Sequence, residues 1–134
     1  ELYSNVDHAL DLIFTNKKNK SVILAAGEPK LTITKSGGSG GRSMFMGLKS
    51  ISKIDDDSVF IPLASDGMDN CPGAGVIIDK NTKERVLNNN INTEEYIENF
   101  DAYNAFEKIG DIINTGPTNA NVSDLMILFT NKHE

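Results

Sequence analysis

Three short apolar runs set the frame of this chain: SVILAA from residue 21, SVFIPLA from residue 58 and DLMILF from residue 124, each bounded by polar or turn-forming residues. Read as strands, they are separated by stretches of a different period. Met44, Phe45, Leu48, Ile51 and Ile54 follow helical spacing between the first two runs, and Val6, Ala9, Leu10, Ile13 and Phe14 do so ahead of them. Strands alternating with helices imply an α/β fold, a mixed β-sheet flanked by helices. At 134 residues the chain has the length of one domain, taken here as 1–134.

Finer features follow from local chemistry. Ser4 with Asp7 fits a capping box opening a helix over 5–15. KLTITK alternates Leu31 and Ile33 with Thr32 and Thr34 and reads as a strand, in a hairpin with SVILAA across Gly27 and Pro29. Pro62 has no N–H for a ladder, so SVFIPLA is expected at a sheet edge or a bulge. VIID reads as a fourth strand, residues 81–88 as a short helix, Asn92 or Thr93 as the cap of another, and Asp101 as the cap of a third that stops at Gly110.

Composition narrows the function classes. Nineteen acidic against 13 basic residues give a formal charge of -6, which repels a phosphate backbone, so no nucleic-acid partner is expected. No apolar run approaches membrane-spanning length and no secretory leader pattern is visible, which points to a cytoplasmic protein without a membrane partner. The lone cysteine, Cys71, excludes a disulfide framework, and two distant histidines, His8 and His133, offer no zinc spacing.

Three polar loops sit where such folds gather ligands. KSGGSGGR leads from a strand into a helix. Gly40 and Gly41 allow close backbone approach, the helix start offers unpaired N–H groups, and Arg42 adds a forked cation, a set suited to a carboxylate or phosphate. A plain glycine-rich turn with a solvated arginine explains the same residues. SDGMDNCPGAG places Asp66 and Asp69 directly after a strand, where they could hold Mg²⁺ or accept a hydroxyl proton, or serve as ordinary turn residues. NTGPTNANVSD offers Thr118, Asn119 and Asn121 to an oxygen-rich ligand, or makes turns for its own sake, with Asp124 as a cap.

In this order, GEPKLTITKSGGSGGR, ASDGMDNCPGAGVIID, FDAYNAFEKIGDII and NTGPTNANVSDLMIL resemble the C-terminal, or MOFRL, domain of the two-domain glycerate 2-kinases. The family usually continues Gly-Gly-Arg with Asn-Gln-Glu, where this chain has Ser43, Met44 and Phe45. The resemblance implies transfer of the γ-phosphoryl group of ATP to the 2-hydroxyl of glycerate, in a cleft shared with an N-terminal kinase domain absent from this sequence. That domain would supply a lysine and most of the ATP and Mg²⁺ site, leaving the present chain inactive alone; the full-length protein could form a homodimer. Arg42 matches the family's catalytic arginine. Asp66 is expected to be catalytic as well, Asp66 and Asp69 to meet the metal, and Gly40, Gly41, Thr118, Asn119 and Asn121 to bind substrate or phosphate. The competing expectation is a non-catalytic module that keeps the fold and binds a small anion or a protein.

Overall fold

The computed structural model describes residues 4–132. Helix α1, Val6–Thr15, buries Val6, Ala9, Leu10 and Ile13, the stripe its periodicity demands. Its cap is Asn5, which accepts the His8 N–H at 2.9 Å, in place of the expected Ser4. Strand β1 is Ser21–Gly27, helix α2 is Arg42–Ser50 and strand β2 is Ser58–Ala64. Two short strands follow, β3 at Gly75–Val76 and β4 at Ile112–Ile113, with helices α3 (Lys80–Asn88), α4 (Thr93–Glu98) and α5 (Ala102–Ile109) between them. Strand β5, Asp124–Thr130, completes a five-stranded sheet of order β1-β5-β2-β3-β4.

The expected α/β domain with helices beside its sheet is present. All four pairings between strands are antiparallel, however, where a mixed sheet was expected. The difference lies in β5. It pairs antiparallel with both β1 and β2, Leu128 facing Ile23 on one side and Phe60 on the other. The unit β1-α2-β2 therefore has the parallel sense of a crossover, with β5 inserted between its two strands.

Two local readings are corrected. The segment KLTITK forms no strand: Lys30 bridges to Asn5 instead, its N–H donating to the Ser4 carbonyl at 2.8 Å and its carbonyl accepting from Val6 at 3.1 Å. After β1 ends at Gly27, the chain runs through Glu28 and Pro29 to the start of α1, so no hairpin forms. Strand β2 lies inside the sheet, without the edge position that Pro62 led us to expect. Phe60 and Ala64 donate to the carbonyls of Ile78 and Ala74, so the absent N–H of Pro62 points the same way. The ladder on that side is correspondingly reduced to two residues of β3 and one isolated bridge, while the β5 side is complete.

The core lies on one face of the sheet. Phe14 of α1 meets Phe60 edge-on at 5.4 Å between ring centres, and Met44, Leu48, Phe106, Met126 and Leu128 close around them, essentially without solvent exposure. Asp101 starts α5 as expected but makes no cap bond; its carboxylate accepts the Ser39 N–H, while Tyr103 donates its own N–H to the Ser39 carbonyl. Those two bonds pin the glycine loop to α5 and fix the approach to α2. Among the described residues, no helix is long and apolar enough to cross a membrane.

Candidate functional site

A cavity of about 260 Å³ opens at one end of the sheet, where β1 and β2 finish, β5 begins and α2 starts. Gly41, Arg42, Asp66, Asp69 and Asn121 line it, so three loops far apart in sequence do converge. The remaining candidates lie beside it. Gly40 packs against Tyr103 of α5, Thr118 donates its hydroxyl to the Ser65 carbonyl at 2.6 Å, and Asn119 is exposed. His8 sits exposed on α1, as expected, and His133 lies outside the described residues.

The two acidic residues of the second loop do different work. Asp69 is only 5% exposed and accepts three backbone N–H groups at the start of α2: Gly41 at 3.1 Å, Ser43 at 3.2 Å and Met44 at 2.7 Å. It thus satisfies the donors that a helix start leaves unpaired. A β-carbon at Gly41 would come within 2.4 Å of Asp69 Oδ1, which is why this position is glycine. The amides read as an anion cradle are accordingly engaged by a carboxylate of the chain itself. Burial pushes the Asp69 pKa up to about 6; the three N–H groups pull it down and the charge of Asp124 adds to the rise. Asp66 faces the cavity less enclosed, with Oδ1 accepting the Met68 N–H at 3.0 Å.

Arg42 projects from the first turn of α2. Its Nε donates to Asp124 Oδ2 at 2.5 Å, and Nη2 stands 3.6 Å from Glu28 Oε1. Burial works against the guanidinium charge, but the Asp124 hydrogen bond and charge, helped by Glu28 and Asp69, outweigh it and raise the pKa. Asp124 is itself pushed up, burial and the charges of Glu28 and Asp66 outweighing the pull of Arg42. The arginine side chain remains 35% exposed, against 10% for Asp124, so one edge of the fork is fixed and the other is accessible.

Asp124 and Glu28 were not singled out from sequence as partners of Arg42. The available signal was position: one opens the last apolar run and the other directly follows the first, so strands pairing side by side bring them to the same end. The third loop is stitched to the second, with Thr118 donating its N–H to the Asp66 carbonyl and Val122 to the Ser65 hydroxyl. A β-carbon at Gly67 would lie 2.0 Å from the Gly116 carbonyl, so this contact too requires glycine. Among the described residues, no three His, Cys, Asp or Glu side chains are grouped to hold a metal ion.

Fold and cavity together define the class: a two-layer α/β domain carrying an acidic, arginine-bearing pocket at its strand ends. The chain belongs to the MOFRL family, which it matches over residues 21–124. It is 32% identical over 108 residues to a glycerate 2-kinase of Pyrococcus horikoshii, covering 79% of this chain and 24% of that protein. A glycerate 2-kinase of Sulfurisphaera tokodaii is 37% identical over 111 residues, covering 79% and 26%. A D-glycerate 2-kinase of Thermotoga maritima is 32% identical over 114 residues, covering 82% and 27%. Among solved structures, a Thermotoga maritima glycerate kinase superposes with a TM-score of 0.88 at 25% identity, over 97% of this chain and 34% of that one. A Pyrococcus horikoshii protein gives 0.89 at 26% identity, over 98% and 33%. The chain thus spans about a quarter of the length of the curated relatives it matches.

Proposed function

We propose that this chain is the C-terminal part of an ATP-dependent glycerate 2-kinase of the cytoplasm, and that its cavity forms one wall of an interdomain site. The observation that carries the reading is Arg42, held through Nε by Asp124 while its Nη edge, among the described residues, meets only a loose contact with Glu28. An incoming carboxylate or phosphoryl group competes readily for that edge, and the forked geometry suits either. Phosphoryl transfer rewards such a donor, because charge spreads over the oxygens of the migrating group.

In this reading the glycerate 2-hydroxyl oxygen attacks the γ-phosphorus, the bond from that phosphorus to the ADP oxygen breaks, and the hydroxyl proton passes to Asp66. Arg42 orients the anion, and Asn121 borders the same pocket. The bulk of the nucleotide site comes from the remaining polypeptide. Mg²⁺, when bound, would neutralise charge on the phosphates. Asp66 suits a place beside it, since among the described residues its Oδ2 accepts no hydrogen bond; Asp69 does not fit, because both of its oxygens already take backbone N–H groups.

Arg42→Ala in the full-length protein is expected to lower glycerate phosphorylation by roughly 10²-fold with folding intact, the usual loss for one transition-state donor. Near-normal turnover would remove the arginine from the chemistry. A second reading, a non-catalytic anion-binding or docking module, draws support from Asp69 and Asp124, which already occupy the helix start and one edge of the arginine. Failure of the full-length protein to phosphorylate glycerate, with retained binding of small anions, would favour it.

A further inference from the structure

The sheet has a second face, and it is apolar. Along β1 the side chains of Ile23 and Ala25 turn toward the helices, so Val22, Leu24 and Ala26 turn away. The register sets Val22 beside Phe129 and Phe129 beside Val59, and in the next row Leu24 beside Ile127 and Ile127 beside Ile61. None of these six side chains joins the helix-side core, and Val22, Leu24 and Phe129 are 58%, 68% and 41% exposed. An antiparallel sheet with one face in water ordinarily alternates apolar and polar residues, whereas these rows carry no polar side chain. A contiguous apolar patch of this kind marks an interaction surface.

A third row, Ala26, Leu125 and Leu63, runs to the cavity: Leu63 precedes Ala64, Leu125 follows Asp124, and both Ala64 and Asp124 line it. Whatever covers the face therefore also reaches the rim of the site. The curated relatives are continuous polypeptides of which this chain matches 24%, 26% and 27%, and the solved neighbours are matched over 34% and 33%, so most of such a protein lies outside these residues. A tethered segment is present at high effective concentration, which favours it over a free partner. We infer that the open sheet face is the seat on which an apolar surface of the remaining polypeptide docks, placing that polypeptide over the cavity beside Arg42. The inference rests on the reading of this chain as one part of a longer kinase.

Thiol accessibility tests it. Cys71 is buried, so a cysteine introduced by Leu24→Cys reports on the face, and one introduced by Leu87→Cys, at a position 74% exposed on α3, serves as the reference. Both substitutions fall at exposed positions and spare the core. In the 134-residue chain the two thiols are expected to react with a disulfide reagent at similar rates. In the full-length protein, otherwise stripped of reactive thiols, the residue 24 thiol should react at least about tenfold more slowly than the residue 87 thiol. Equal rates in the full-length protein would overturn the inference. So would protection that appears in the 134-residue chain and deepens with its concentration, or that vanishes when a full-length dimer is diluted to monomer, since a second copy would then be the occupant. The readout is independent of turnover: protection with a fully active Arg42→Ala enzyme would sink the proposed chemistry and leave the docking surface standing.

Discussion

Asp69 shows how one side chain can decide what a loop is for. From sequence it was one of two carboxylates three residues apart; in three dimensions it caps α2 and closes the glycine loop over itself. No local spacing reveals this, because the cap comes from about 25 residues downstream of the helix it serves, beyond the reach of capping patterns. Replacing it by asparagine turns an N–H donor toward backbone N–H groups, at an expected cost of about 1–3 kcal/mol, read from the urea midpoint at pH 7. The pH dependence has a definite sign. A folded-state pKa of about 6 exceeds the ordinary carboxylate value, so the folded protein holds the proton more tightly than the unfolded chain. The resulting stability is fully present below the unfolded pKa and is lost as pH rises through about 6. On passing from pH 7 to pH 5 the wild type should gain about 1 kcal/mol more than Asp69→Asn does. A carboxyl carbon signal of Asp69 that titrates at an ordinary aspartate value would contradict this.

At the scale of elements, the long apolar runs were legible and the pairings were not. SVILAA, SVFIPLA and DLMILF are strands, as their apolar, β-branched composition predicts, and α5 carries its buried residues at helical intervals, whereas α2 is buried continuously from Ser43 to Leu48. The segment from Leu31 to Thr34 alternates as a strand should, yet alternation alone supplies no partner. Strand β4, two residues long, has no pattern of its own and is defined by its pairing with β3. Phe60 lies where β2 meets α1, fully buried against Phe14. Phe60→Ala should therefore destabilise the domain by about 3–5 kcal/mol, in the range for large cavities in a core, measured by denaturant unfolding. A loss below about 1 kcal/mol would mean that α1 is not held through this contact.

For the molecule as a whole, the family was readable from four ordered motifs, while the charge balance of the site was not. Arg42 and Asp66 were visible as candidates, and the structure brings them to one cavity together with Asn121. The arginine arrives already paired, because Glu28 and Asp124 become its neighbours through the insertion of β5 beside β1, which no local sequence pattern encodes. If the full-length protein is the glycerate 2-kinase proposed above, this predicts a graded series. Asp124→Asn keeps an acceptor for Nε but loosens the orientation of the fork, so turnover should fall to a level between wild type and Arg42→Ala, with KM for glycerate raised. If the two variants were equally impaired, Asp124 would be doing more than positioning the arginine.

The insertion of β5 also bears on how such a domain comes into being. Strand β5 is synthesised after both strands it joins, and its partners in β1 lie roughly a hundred residues upstream, a separation that slows folding. Until that strand arrives, two apolar ribbons emerge with nothing between them, exposed to any sticky surface nearby. A nascent chain stalled just short of residue 124 is thus a natural client for chaperones, and loss of Asp124–Thr130 should wreck the domain as surely as a cut through its middle.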